Sequence, residues 1–170
     1  MPTQSSTDSR ATCVCGRVEL RLIGNPIVTS VCYCDDCQAG ARQLAALPGA
    51  PLAGDDGGTA FVLFPKDRVQ CTSGDSALKA YKLQDKSVTN RVVATCCNAP
   101  MLMNFDNARH WVPVYRARLL GIAPPIQMRI CTKFKPDNVE LPDDIPSYPS
   151  YPPKLLVKLL AARVSMLFRN

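Results

Sequence analysis

Three cysteines crowd into six positions of the stretch CYCDDC, residues 32 to 37. In an extended strand, residues i and i+2 face the same side, so Cys32 and Cys34 present two sulfurs to one point. Cys37, after the turn-forming Asp-Asp, adds a third. Soft thiolates in this pattern favour Zn²⁺ or an iron–sulfur centre over hard cations such as Mg²⁺. Three protein ligands around a four-coordinate ion leave one position open, which distinguishes catalytic from structural zinc. A fourth thiolate from elsewhere would close the site. The pair Cys13 and Cys15 in CVCG also needs partners, so two sites compete for Cys96 and Cys97.

The rest of the sequence sets the context in which these thiols work. At 170 residues the chain suffices for one domain with a core that needs no disulfide staples. Its nine cysteines are an odd number, and the first ten residues show no basic segment followed by an apolar run. The expectation is an intracellular, most simply cytoplasmic, protein with reduced thiols and no membrane span. The formal charge of +6 lies entirely in residues 107 to 170. Two Zn²⁺ on seven thiolates would lower it to about +3, and no aromatic-interleaved basic patch supports nucleic-acid binding.

Hydrophobic periodicity divides the chain into a polar tail (1–10), a β domain (11–141), a proline-rich linker (142–153) and a basic amphipathic helix (154–170). Val18, Leu20 and Leu22 alternate with Arg17, Glu19 and Arg21, the period of a half-buried strand. PIVTSVCYC predicts a second strand leading into the cysteines, and Asp35 or Asp36 is placed to cap a short helix through CQAGARQLAAL. Further strands are expected around TAFVLF, RVQCT, LKAYKL and NRVVATC, whereas HWVPVYRARL reads as a strand broken by Pro113 or a helix beginning there. In the last helix Leu156, Leu159, Leu160 and Leu167 form the apolar side, opposite Lys154, Lys158 and Arg169.

An early C-x-C-G, a central C-x-C-x-x-C and a late C-x-x-C-G-x-P-L, in that order, mark the glutathione-dependent formaldehyde-activating enzymes and their relative centromere protein V. CVCG, CYCDDC and CCNAPML resemble that set over about residues 11 to 105. The resemblance implies a mainly β protein, a β-tent of small antiparallel sheets built around two zincs. It places Cys13 and Cys15 with the late pair in a closed structural site, and Cys32, Cys34 and Cys37 on an open working zinc. Its activity is carbon–sulfur lyase chemistry on a thiol adduct such as S-hydroxymethylglutathione, with glutathione or another thiol as co-substrate.

The late motif departs from the family pattern. With Pro100 and Met101 aligned, Cys97 takes the second late cysteine, Asn98 the glycine, and Ala94 the first cysteine. Adjacent strand residues face opposite ways, so Cys96 and Cys97 reach one ion only if the chain turns there. Otherwise Cys97 serves the structural zinc and Cys96 the other site.

The remaining residues have simpler readings. Cys71 and Cys131 are expected to be ordinary half-buried thiols, Asp35 and Asp36 helix-capping residues, the GGT at 57–59 a turn, and His110 a structural residue. The terminal helix is expected to dock its leucines on its own domain, with a protein partner or anionic membrane as the alternative. The sequence thus predicts a zinc-dependent lyase-like enzyme, or a zinc-binding scaffold without turnover that recruits partners.

Overall fold

The structure, a computed structural model, describes residues 8–48 and 56–169. A three-stranded sheet has the order β1-β2-β5 and a seven-stranded sheet the order β10-β3-β4-β9-β8-β7-β6. The small sheet comprises β1 (Ser9–Thr12), β2 (Glu19–Leu22) and β5 (Val69–Ser73), all antiparallel. β1 begins two residues inside the stretch read as tail. Asp8 holds its start by pairing with Arg21 at 2.6 Å.

The large sheet runs through β3 (Val28–Cys32), β4 (Thr59–Pro65), β6 (Leu78–Tyr81), β7 (Thr89–Ala94), β8 (Ala99–Phe105), β9 (Trp111–Tyr115) and β10 (Met128–Ile130). It is mixed rather than wholly antiparallel, because β10 pairs parallel with β3. β9 passes straight through Pro113, which lacks a donor for the ladder. The sheet tolerates it where pairing is thin: β8 and β9 share only the Leu102–Val114 partnership.

Alternation along β4 shows how the layers stack. Val62 and Phe64 join Val18, Leu20 and Leu22 of the small sheet in one core, while Phe61 and Leu63 join Cys32, Cys37, Leu155 and Leu159 in another. The large sheet is therefore covered by the small sheet on one face and by helices α1 (Asp35–Ala45) and α2 (Pro153–Leu167) on the other. β3 is buried along its whole length, which explains its uninterrupted run of β-branched and small residues.

The proline-rich segment is clamped to β10 by one residue. Arg129 N donates to Pro146 O at 2.8 Å, its Nη1 donates to Pro142 O at 3.1 Å, and its guanidinium pairs with Asp144 at 2.8 Å. Pro153 then starts α2 at a position where a missing N–H costs nothing. The helix docks by Leu155 and Leu159, which are buried; of the predicted stripe only Leu159 faces the domain. Leu156, Leu160 and Leu167 face outward at 55%, 64% and 63% exposure. Burying the two docked leucines contributes roughly 1.5–3 kcal/mol each. No helix among the described residues is long and apolar enough to cross a membrane.

Candidate functional site

The hairpin between β1 and β2 carries the first cysteine pair. Gly16, at φ 76°, turns the chain, and its N–H donates to Cys13 O at 3.1 Å. Val18 N donates to the Cys13 sulfur at 3.2 Å, so CVCG curls around its own thiol instead of lying extended. Cys96 and Cys97 meet this pair. The Cys13 and Cys15 sulfurs lie 3.7 and 3.4 Å from that of Cys96, and the four thiols fall within 4.8 Å of one another. Both late cysteines reach one point because the chain does turn: Cys97 N donates to Ala94 O at 3.3 Å, and Asn98 adopts φ 53°. Asparagine enters this left-handed region more readily than other residues with a side chain, so it replaces the glycine of the family motif without losing the turn.

The second set forms on the opposite face of the large sheet. Cys32 ends β3, Cys34 precedes α1 and Cys37 lies in its first turn; their sulfurs also fall within 4.8 Å of one another. The capping residue is Cys34 rather than Asp35 or Asp36, its sulfur accepting from Cys37 N at 3.4 Å. The two aspartates instead occupy the first turn, where the helix dipole favours negative charge. Hydrogen bonds from the Cys32 and Cys37 thiols push the Cys34 thiol down to about 3, whereas Cys32 is raised by its neighbouring thiols and by burial. In the first set, hydrogen bonds from the Arg17 backbone and from Cys96 lower Cys15.

A cavity of about 350 Å³ opens beside Cys32, Cys34 and Cys37. Arg91 reaches it from β7 with only 2% exposure, and its Nη2 donates to Asp36 O. Its Nη1 is buried and has no hydrogen-bond partner among the described residues. Arg109 stands at the rim with its guanidinium 4.6 Å from the centre of the Phe105 ring. Tyr151, Leu155 and Leu159 cover the cavity from the C-terminal segment.

Sequence reasoning missed Arg91, Arg109 and Tyr151, which lie far from any cysteine motif. Arg91 follows the polar Thr89 and Asn90 at the start of β7, so nothing local marks it as buried. Cys131, expected to be an ordinary half-buried thiol, is fully buried in one core cluster with Cys32. Cys71 is exposed, its thiol bonded to Ser73 O at 3.2 Å. His110 anchors α2, its Nε2 lying 2.6 Å from Leu159 O. In GGT, Gly57 turns the chain at φ 79°, and a Cβ on Gly58 would lie 2.4 Å from Val31 Cγ1 and 2.7 Å from Tyr33 Cζ.

Both sets fit a soft metal ion, since each offers only sulfur donors at mutual distances that one ion spans. Residues 8–119 match the sequence profile described as glutathione-dependent formaldehyde-activating enzyme. The chain belongs to that family. None of the curated proteins matches it. A crystal structure of a Rhodobacter sphaeroides protein is similar at a TM-score of 0.48 and 18% identity, covering 68% of this chain and 91% of that one.

Proposed function

We propose that this family member makes or breaks the carbon–sulfur bond of a thiol adduct, such as S-hydroxymethylglutathione, in the cavity beside Cys32, Cys34 and Cys37. The observation that carries the reading is three thiols converging at the wall of a 350 Å³ cavity in a chain of this family. Cys13, Cys15, Cys96 and Cys97 would hold a structural Zn²⁺, and the cavity set a second one. Zn²⁺ at the cavity set would lower the pKa of a substrate thiol and polarise an adjacent oxygen.

The chain's own groups supply orientation and charge. Buried Arg91 offsets the negative charge of the thiolates, and its free Nη1 offers a donor to a substrate oxygen. Arg109, held over Phe105, presents positive charge at the rim to a carboxylate such as glutathione carries. Leu155 and Leu159 exclude water from the inner wall. A reducing intracellular compartment would keep the thiols available.

The deciding experiment mixes glutathione with formaldehyde and follows the rate at which the adduct forms, relative to the uncatalysed rate. Wild-type turnover abolished in Cys34→Ser, with the fold retained by circular dichroism, is the expected result. Equal rates in both proteins would overturn the reading. The outward leucines of α2 favour one alternative, a zinc-binding scaffold without turnover. A pull-down that depends on α2 and is indifferent to Cys34→Ser would support that role.

A further inference from the structure

α2 is apolar on two faces. Leu155 and Leu159 are buried in the core beneath it, whereas Leu156, Val157, Leu160, Val164, Leu167 and Phe168 stand open, from 45% exposure at Val164 to 85% at Phe168. At 3.6 residues per turn these six side chains fall within one arc of roughly 120°, turned away from the docked leucines. No polar side chain interrupts that arc. Single exposed apolar residues are ordinary on a protein surface, but a contiguous patch marks a surface that binds something.

Cations line both margins of the patch. On the same helical projection Arg163 borders the arc on one side, and Lys154 and Lys158 lie beyond the other. No Asp or Glu follows Asp144 in the chain, so the charge on α2 is wholly positive. Asp67, which reaches the end of the helix, is already paired with Arg169 at 3.1 Å.

This distribution selects among occupants. A second copy would set like charges against each other along both margins. A groove that wraps a helix cannot close around α2, because its inner side is seated on the domain and tied there by His110 Nε2, 2.6 Å from Leu159 O. A lipid surface meets the helix in one plane, with the apolar arc at the acyl boundary and the lysine and arginine side chains reaching up to anionic headgroups on either side.

We propose that the outward face of α2 docks the protein on an anionic lipid bilayer, the helix lying in the interface plane. The proposal is independent of metal and of the carbon–sulfur chemistry. Leu160 and Val164, at the centre of the arc, lie outside the lining of the cysteine cavity.

The test is co-sedimentation of the full chain with vesicles of phosphatidylcholine containing phosphatidylglycerol, beside vesicles of phosphatidylcholine alone. Wild type is expected to bind the anionic vesicles at least about tenfold more tightly, and less tightly as salt is raised. Leu160→Ser/Val164→Ser and Lys154→Gln/Arg163→Gln should each weaken that binding at least about tenfold. Both double variants change exposed or half-exposed side chains, so their Tm values should match the wild type and show that the fold is intact. Failure of the wild type to bind anionic vesicles, equal binding to both vesicle types, or full binding by either double variant would overturn the proposal. A dimer seen by light scattering, lost in Leu160→Ser/Val164→Ser and undisturbed by vesicles, would overturn it in favour of a second copy. Cys34→Ser should bind vesicles as the wild type does, so failure of the lyase reading is separately visible.

Discussion

Gly40 of α1 leaves the space that Arg91 fills: a Cβ built on Gly40 would lie 1.9 Å from Arg91 Nε and 2.5 Å from its Cζ. The helix gives up stability for that space, since alanine at an internal helix position is favoured over glycine by up to about 1 kcal/mol. Arg91 is fixed by its bond to Asp36 O and by burial, so it has little freedom to yield.

Gly40→Ala should therefore destabilise the protein in spite of its better helix propensity, by about 1–3 kcal/mol. Denaturant unfolding measures this directly. A stabilised Gly40→Ala protein would show that Arg91 moves aside at little cost. The double variant Gly40→Ala/Arg91→Ala tests the coupling, because the clash is gone and the two losses should fall short of additive.

Removing one sulfur from the four-cysteine set should lower stability more than removing the exposed thiol of Cys71. For Cys97→Ser we expect a fall in Tm of at least about 5 °C, corresponding to roughly 2 kcal/mol for a chain of this size. A chelator should reproduce the fall in the wild type and add little in the variant. Equal melting of Cys97→Ser and Cys71→Ser, with and without chelator, would mean that this cluster does not tie metal to folding.

Acid should loosen the clamp on the proline-rich segment. Hydrogen bonding from Arg129 holds the Asp144 carboxyl below its usual value. The carboxylate therefore adds stability above the unfolded-state value near 3.9, and that contribution disappears as pH falls through the lower folded value. Asp144→Asn should melt below the wild type at neutral pH, with the gap closing below about pH 4. A gap that persists unchanged to pH 2 would point away from this carboxylate.

How far the sequence discloses this arrangement depends on whether a signal is local. Val18, Leu20 and Leu22 reveal their buried face through simple alternation, and the two C-x-C elements announce thiol clusters. The joint use of Cys96 and Cys97 stays ambiguous in sequence because it depends on the left-handed turn at Asn98, which neighbouring residues permit without requiring. The docking face of α2 is only partly legible, with Leu159 on the expected side and Leu155 not, for a different reason. Apolar residues surround much of the helix, and only tertiary contact selects Leu155 and Leu159 over Leu156 and Leu160. Arg91 reaches the cavity, and Cys131 the core cluster of Cys32, through pairings and packing across long sequence separations, so no local spacing could identify them.

The parallel pairing of β10 has a consequence for solubility. The match to the family stops at residue 119, and β10 begins at Met128. Were β10 displaced, the flank of β3 it covers would offer unpaired backbone groups along a strand of wholly buried residues. Such an edge recruits strands from other copies. The clamp from Arg129 to the proline-rich segment thus guards against edge-to-edge aggregation at the point where the chain presents its cysteines.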